Sequence, residues 1–181
     1  MLSDKVANAL NQHINAEMYS AYLYMSMSNA ANDLGLKGFA SWFMVQFHEE
    51  MMHGMKMYEY LQRQGVSVKL LAIQQPPHDF SSALEMFEKT LEHEQKVTGL
   101  LNNLMEIAKE EKDNATQIFL NWYITEQVEE EENDNDMIQQ LKLIKDDIRG
   151  VLLLDRELAQ RAVTVPTDYS KGIESAMKGE G

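Results

Sequence analysis

Five side chains in this sequence stand where helical periodicity calls for apolar ones. Glu17, Glu50, Glu94 and Glu130 each fall inside an apolar stripe rather than opposite it, and His53 follows Glu50 by three positions. Residues three apart are neighbours on one helical face, so Glu50-x-x-His53 presents a carboxylate and an imidazole to a single ion. An unpartnered carboxylate in a core costs several kcal/mol, so four that converge require cations, and four negative charges match two divalent metals. The spacing repeats along the chain. Glu17 and Glu50 are 33 residues apart, as are Glu94 and Gln127, and an offset of 77 carries Glu17 onto Glu94, Glu50 onto Gln127 and His53 onto Glu130. Each half thus offers a lone Glu and a pair at i, i+3. Cys is absent, which excludes disulfides, thiolate metal sites and thiol catalysis. Any metal is held by oxygen and imidazole.

Such a constellation needs long, rigid elements to position it. The 181 residues are 44% hydrophobic and 25% charged, with 9 Gly and 3 Pro, a composition that points to one all-α domain. Helical periodicity predicts helices over 4–33, 37–64, 82–111 and 114–146. Gly35 and Gly65 follow the first two as stops, and Ser82-x-x-Glu85 opens the third as a capping box. Helices of about 30 residues are roughly 45 Å long, so the short joints at 34–36 and 112–113 make antiparallel hairpins, and 66–81 runs extended along the bundle. The expected architecture is an antiparallel four-helix bundle with one long crossover between the second and third helices. Gly150 precedes a short fifth helix over 151–158, whose Val151, Leu152, Leu153, Leu154 and Leu158 are too apolar to stand free and are expected to dock at a subunit contact. Residues 1–165 form the domain, and 166–181 read as a mobile tail. The polar run Asn133-Asp134-Asn135-Asp136 has no place in the apolar pattern of the fourth helix.

Sixteen basic against twenty-nine acidic residues give a net charge of -13, which argues against nucleic acid as a partner and favours cations. The amino terminus lacks a secretory pattern, and no apolar run approaches about 18 residues, so a cytoplasmic protein without membrane contact is expected.

One lone Glu on each of two helices and an i, i+3 ligand pair on the others is the layout of di-iron carboxylate bundles. Over about residues 3–163 the chain resembles the bacterial and archaeal non-haem ferritins. The resemblance rests on Glu17, Tyr24, Glu49-Glu50-x-x-His53, His93-Glu94, Trp122-Tyr123 and Glu126-Gln127-x-x-Glu130. It implies a ferroxidase centre in which Glu17, Glu50 and His53 hold one iron and Glu50, Glu94 and Glu130 the other. It also implies a third iron site on Glu49, Glu126, Glu129 and Glu130, with Gln127 and Tyr24 near bound oxygen. Fe(II) would be oxidised by oxygen or peroxide and stored as mineral inside a cage of about twenty-four subunits. The second pair, Gln127-x-x-Glu130, departs from bacterioferritins, whose pair ends in His; haem is therefore not expected, and Met51 reads as packing. His13, His48, His78 and His93 read as bystanders, and Trp122 as packing. The plain reading of Tyr24 is a core tyrosine. That of Glu49, Glu126 and Glu129 is a solvated face, since they belong to charge runs. Two other functions stay open: a di-iron carboxylate oxidase, oxygenase or peroxide-reducing enzyme without iron storage, and an acidic bundle binding Ca(II) or Zn(II) opportunistically. The Glu50-x-x-His53 pair argues against Ca(II), which prefers oxygen alone.

Overall fold

The computed structural model describes residues 2–145 and 147–173. Five helices organise them: α1 Asp4–Asp33, α2 Lys37–Arg63, α3 Ala83–Glu110, α4 Asn114–Ile144 and α5 Ile148–Leu158. No strand occurs among the described residues. The four long helices follow the expected ranges closely; Asp146, expected to end the fourth, lies outside the described residues. None of the described helices is long and apolar enough to cross a membrane.

Side chains start most of these helices by accepting from otherwise orphaned N–H groups. Ser3 Oγ accepts from Val6 N at 3.3 Å, Ser82 Oγ from Glu85 N at 3.1 Å and Asp113 Oδ1 from Thr116 N at 3.0 Å. The return arm of the expected capping box is displaced by one residue, because Glu85 Oε2 accepts from Ser81 N at 2.7 Å. For α2 the cap comes from elsewhere. Its N-cap residue Leu36 offers no side-chain bond; instead Asp155 Oδ1 of α5 accepts from Gly38 N at 2.7 Å and Phe39 N at 3.0 Å. A Cβ on residue 38 would lie 1.6 Å from the Asp155 carbonyl oxygen, so the close approach demands glycine.

The fifth helix differs from expectation at its start. It begins at Ile148, and Gly150 lies inside it rather than before it. A Cβ on Gly150 would meet Ile144 Cγ2 at 2.8 Å, so the glycine permits α5 to fold back against the end of α4, offsetting a helix penalty of about 1 kcal/mol. Its apolar residues divide. Leu154 and Leu158 are buried in the chain's own core, while Ile148, Leu152 and Leu153 are exposed.

Packing places a polar belt between two apolar clusters. α1 packs along α2, α3 along α4, and α1 also meets α3. One cluster contains Tyr24, Phe39, Phe43, Phe87 and Leu141, the other Leu10, Met57, Leu61, Leu101, Leu120 and Tyr123. Each fully buried large apolar side chain contributes about 1.5–3 kcal/mol, so the two clusters hold the bundle together on either side of the belt. α2 and α4 are bridged by side chains: Tyr60 and Thr116 hydroxyls are 2.9 Å apart, and Tyr123 donates to the His53 carbonyl at 2.8 Å. The polar run in α4 also finds its explanation, since Asp134 is buried in the bundle whereas Asn135 and Asp136 face solvent. Of the expected tail, 174–181 lies outside the described residues; 166–173 returns to α2, where Ile173 is buried and its N–H donates to Glu59.

Candidate metal centre

The belt takes one buried carboxylate from each long helix: Glu17 from α1, Glu50 from α2, Glu94 from α3 and Glu130 from α4. Helical phase puts them there. Glu50 stands seven residues from both Phe43 and Met57, and Glu130 seven from both Tyr123 and Met137, all core positions of the same stripe.

Among the described residues, one group offers three ligand atoms all within 4.8 Å of one another: Glu17, Glu50 and His53. His53 Nδ1 lies 3.5 Å from Glu50 Oε2 and 4.0 Å from Glu17 Oε2. Glu17 Oε2 and Glu50 Oε1 are buried without a hydrogen bond, leaving lone pairs that a cation would satisfy. Glu94 and Glu130 are held by neutral donors. Tyr24 donates its hydroxyl to Glu94 Oε1, Gln127 Nε2 donates to Glu94 Oε2 at 3.0 Å, and Gln46 Nε2 donates to Glu130 Oε2 at 2.8 Å.

Electrostatics follow from crowding charges in a dry interior. Burial pushes Glu17 up, but His13 and then His53 outweigh it and bring the carboxyl to about 2. Burial first, then the charges of Glu94, Glu17 and Glu130, drives Glu50 well above the ordinary carboxylate range. Burial likewise carries Glu94 to about 7, against the Tyr24 and Gln127 hydrogen bonds. Glu130 rises to about 8 through burial and the Glu94 and Glu49 charges. Burial lowers His53, which favours the neutral imidazole that metals bind. The metal-free belt therefore carries protons that divalent ions would displace. An oxygen set with one imidazole suits Fe(II).

The other expected residues fall differently. Glu49 is mostly buried, Glu126 partly so and Glu129 exposed. Burial raises Glu49, and Glu126 and Glu129 add to the rise, so the three share one field. Two cations stand among them. Arg161 Nη2 lies 2.7 Å from Glu49 Oε2, and Lys56 Nζ stands 3.1 Å over the centroid of Trp122. Burial lowers Lys56 to about 8, opposed by the Glu126 charge. Of the bystander histidines, His78 is exposed and His93 bonds Ser20 Oγ at 2.7 Å. His13 is no bystander, since its Nε2 lies 3.0 Å from Glu17 Oε1; its position one turn before Glu17 was the signal. Gln46 and Asp134 were missed as well. Each sits one turn from a belt carboxylate, Gln46 before Glu50 and Asp134 after Glu130. Arg161 gave no local sign, being 112 positions from Glu49.

A family model described as a ferritin-like domain matches residues 7–144. The bacterial non-heme ferritin of Staphylococcus aureus strain USA300 is 42% identical over 161 residues, covering 89% of this chain and 97% of that protein. That of Staphylococcus saprophyticus is 41% identical over 162 residues, covering 90% and 97%. Among solved structures, the open pore ferritin of the hyperthermophilic archaeon Archaeoglobus fulgidus superposes with a TM-score of 0.88 at 48% identity, covering 90% of this chain and 100% of that one.

Proposed function

This chain belongs to the ferritin family, and on that premise we propose that it stores iron, oxidising Fe(II) at a paired site and keeping the Fe(III) as mineral inside a cage of its own copies. The carrying observation is the convergence of Glu17, Glu50 and His53 within 4.8 Å in a buried belt completed by Glu94 and Glu130. Glu17, Glu50 and His53 hold one Fe(II), and Glu50, Glu94 and Glu130 the other. Each Fe(II) gives up one electron, and dioxygen takes two electrons and two protons to leave as hydrogen peroxide. Tyr24 and Gln127 fix the Glu94 carboxylate between them, and Gln46 fixes Glu130, so the ligands are oriented before iron arrives. A cytoplasmic location and an assembly of twenty-four subunits complete the proposal.

Anaerobic Fe(II) titration followed by exposure to oxygen tests it. Two Fe(II) per subunit are expected at the paired site, then rapid oxidation. Because Glu50 serves both metals, Glu50→Ala should slow oxidation on the order of 100-fold, and Glu17→Ala or Glu94→Ala by less. Equal losses in all three variants, with assembly intact, would remove Glu50 from the bridging position.

A third iron site on Glu49, Glu126, Glu129 and Glu130 belongs to the same proposal. Iron there competes with Arg161 for the Glu49 carboxylate, whose Oε2 lies 2.7 Å from Arg161 Nη2. Glu49→Gln and Glu126→Gln should change the iron-to-oxygen ratio while paired binding persists; an unchanged ratio returns these residues to a solvated acidic face.

The alternative, oxidation of an organic substrate without storage, draws on a groove of about 360 Å³ between α3 and α4 whose lining includes Thr98, Leu101 and Gln127. Storage requires a large hollow shell that retains iron, and size-exclusion chromatography of iron-loaded protein separates the two readings.

A further inference from the structure

Asp134 is a buried carboxylate with no counterpart in the proposed centre. It lies on α4 at 1% exposure, one helical turn beyond Glu130 and on the same face, where residues four apart stand about 5–6 Å from each other at Cβ. Among the described residues it is the carboxylate whose two oxygens are both buried and both without a hydrogen bond. Its electrostatic surroundings give its direction. Burial first, then the charges of Glu94, Glu130 and Glu131, push it up to about 9, with Arg161 opposing; the Tyr24 hydroxyl that donates to Glu94 is raised by burial, then by Glu94 and Asp134. On the buried face of α4 it stands between Glu130 of the belt and Met137 of the Phe43 and Phe87 cluster.

Protonation alone does not satisfy this group. A neutral carboxyl still carries one O–H donor and acceptor lone pairs, and unsatisfied buried polar atoms cost about 1–3 kcal/mol each. A cation satisfies both oxygens and lets Asp134 and Glu130 ionise side by side.

We propose that Asp134 is a metal ligand which, together with Glu130, holds a further divalent cation inside the bundle, on the Tyr24 side of the Glu17–Glu50–His53 group. This position shares Glu130 with the Glu49, Glu126 and Glu129 site but takes Asp134 in place of those three, and its oxygen donors select hard to borderline divalent ions, Fe(II) among them. It gives a third ion a place beside the pair without competing with Arg161 for Glu49.

The proposal rests on the paired-site reading, and one experiment separates the two. Crystals of the assembled protein are soaked in Zn(II), a redox-inert probe, and the zinc anomalous density is mapped; zinc bound per subunit is measured in parallel by equilibrium dialysis. Wild type should show zinc at Glu17–Glu50–His53 and a further peak within about 2.0–2.2 Å of an Asp134 oxygen. Asp134→Asn, isosteric and uncharged, should lose that peak and one zinc per subunit while keeping the others. Zinc at the pair with none at Asp134, or equal stoichiometry in the two proteins, overturns the Asp134 site alone. Absence of zinc from the pair overturns the paired-site reading and this one with it. Should the variant fail to fold, the wild-type map decides by itself.

Discussion

Glu94 and Glu130, at about 7 and about 8, hold protons that the unfolded chain releases near pH 4.3, the ordinary value of about 4.3 for Glu. Between those values the folded state binds more protons than the unfolded one, so stability falls as pH rises. Glu17, at about 2, has the opposite sign: its contribution is present above the unfolded value and is lost only as pH falls toward 2. Burial lowers His53 and brings His93 to about 4, so these imidazoles add stability as pH rises toward about 6.5 and oppose the two carboxylates there. The metal-free protein should therefore lose melting temperature chiefly between about pH 6.5 and 8, and Zn(II) should flatten that slope by replacing protons. Calorimetry across that range checks it; a melting temperature that climbs with pH would refute the buried-proton account. At this scale the candidate centre was legible wherever a charge interrupts an apolar stripe, which is why Glu17, Glu50, His53, Glu94 and Glu130, all buried, stand out. Gln46 was not, because a neutral amide reads as surface, and Asp134 was hidden among three polar neighbours of which Asn135 and Asp136 do face water.

The helices themselves were legible from a period of 3.6 because each buries one face along its whole length. The two hairpins and the crossover followed from joint lengths alone. What the periodicity could not contain were contacts between distant segments. Gly150 reads as punctuation until Ile144 is seen against it, and Leu36 gives α2 no cap until Asp155 arrives from α5. Replacing that tertiary cap should matter as a local one does: Asp155→Ala is expected to cost about 0.5–2 kcal/mol and to speed hydrogen exchange at Gly38 and Phe39. Gly38→Ala should cost more, since its Cβ has backbone in its way. Denaturant melts of the two variants rank them, and equal stability in Gly38→Ala would show that α5 can move aside freely.

At the level of the whole molecule, the fifth helix faces two ways. Leu154 and Leu158 belong to the core of one subunit, so Leu154→Ala should destabilise the single bundle by about 2–5 kcal/mol. Ile148, Leu152 and Leu153 are left in the open, and these are the residues available to another copy. Leu152→Asp combined with Leu153→Asp should give smaller species that still bind Fe(II) at the paired site but retain little mineral. Sedimentation velocity beside an iron-loading assay reads both effects; an intact shell with full retention would remove α5 from assembly. The bond between Gly38 and Asp155 also sets a clock. The two residues are 117 positions apart, so on the ribosome the second helix is synthesised long before the carboxylate that finishes its first turn. Until then the Gly38 and Phe39 N–H groups lack the acceptor that closes the first turn of α2. A chain that ended before Asp155 should therefore open at the start of α2 and be cut there sooner than the full chain, which limited proteolysis of the two side by side reads.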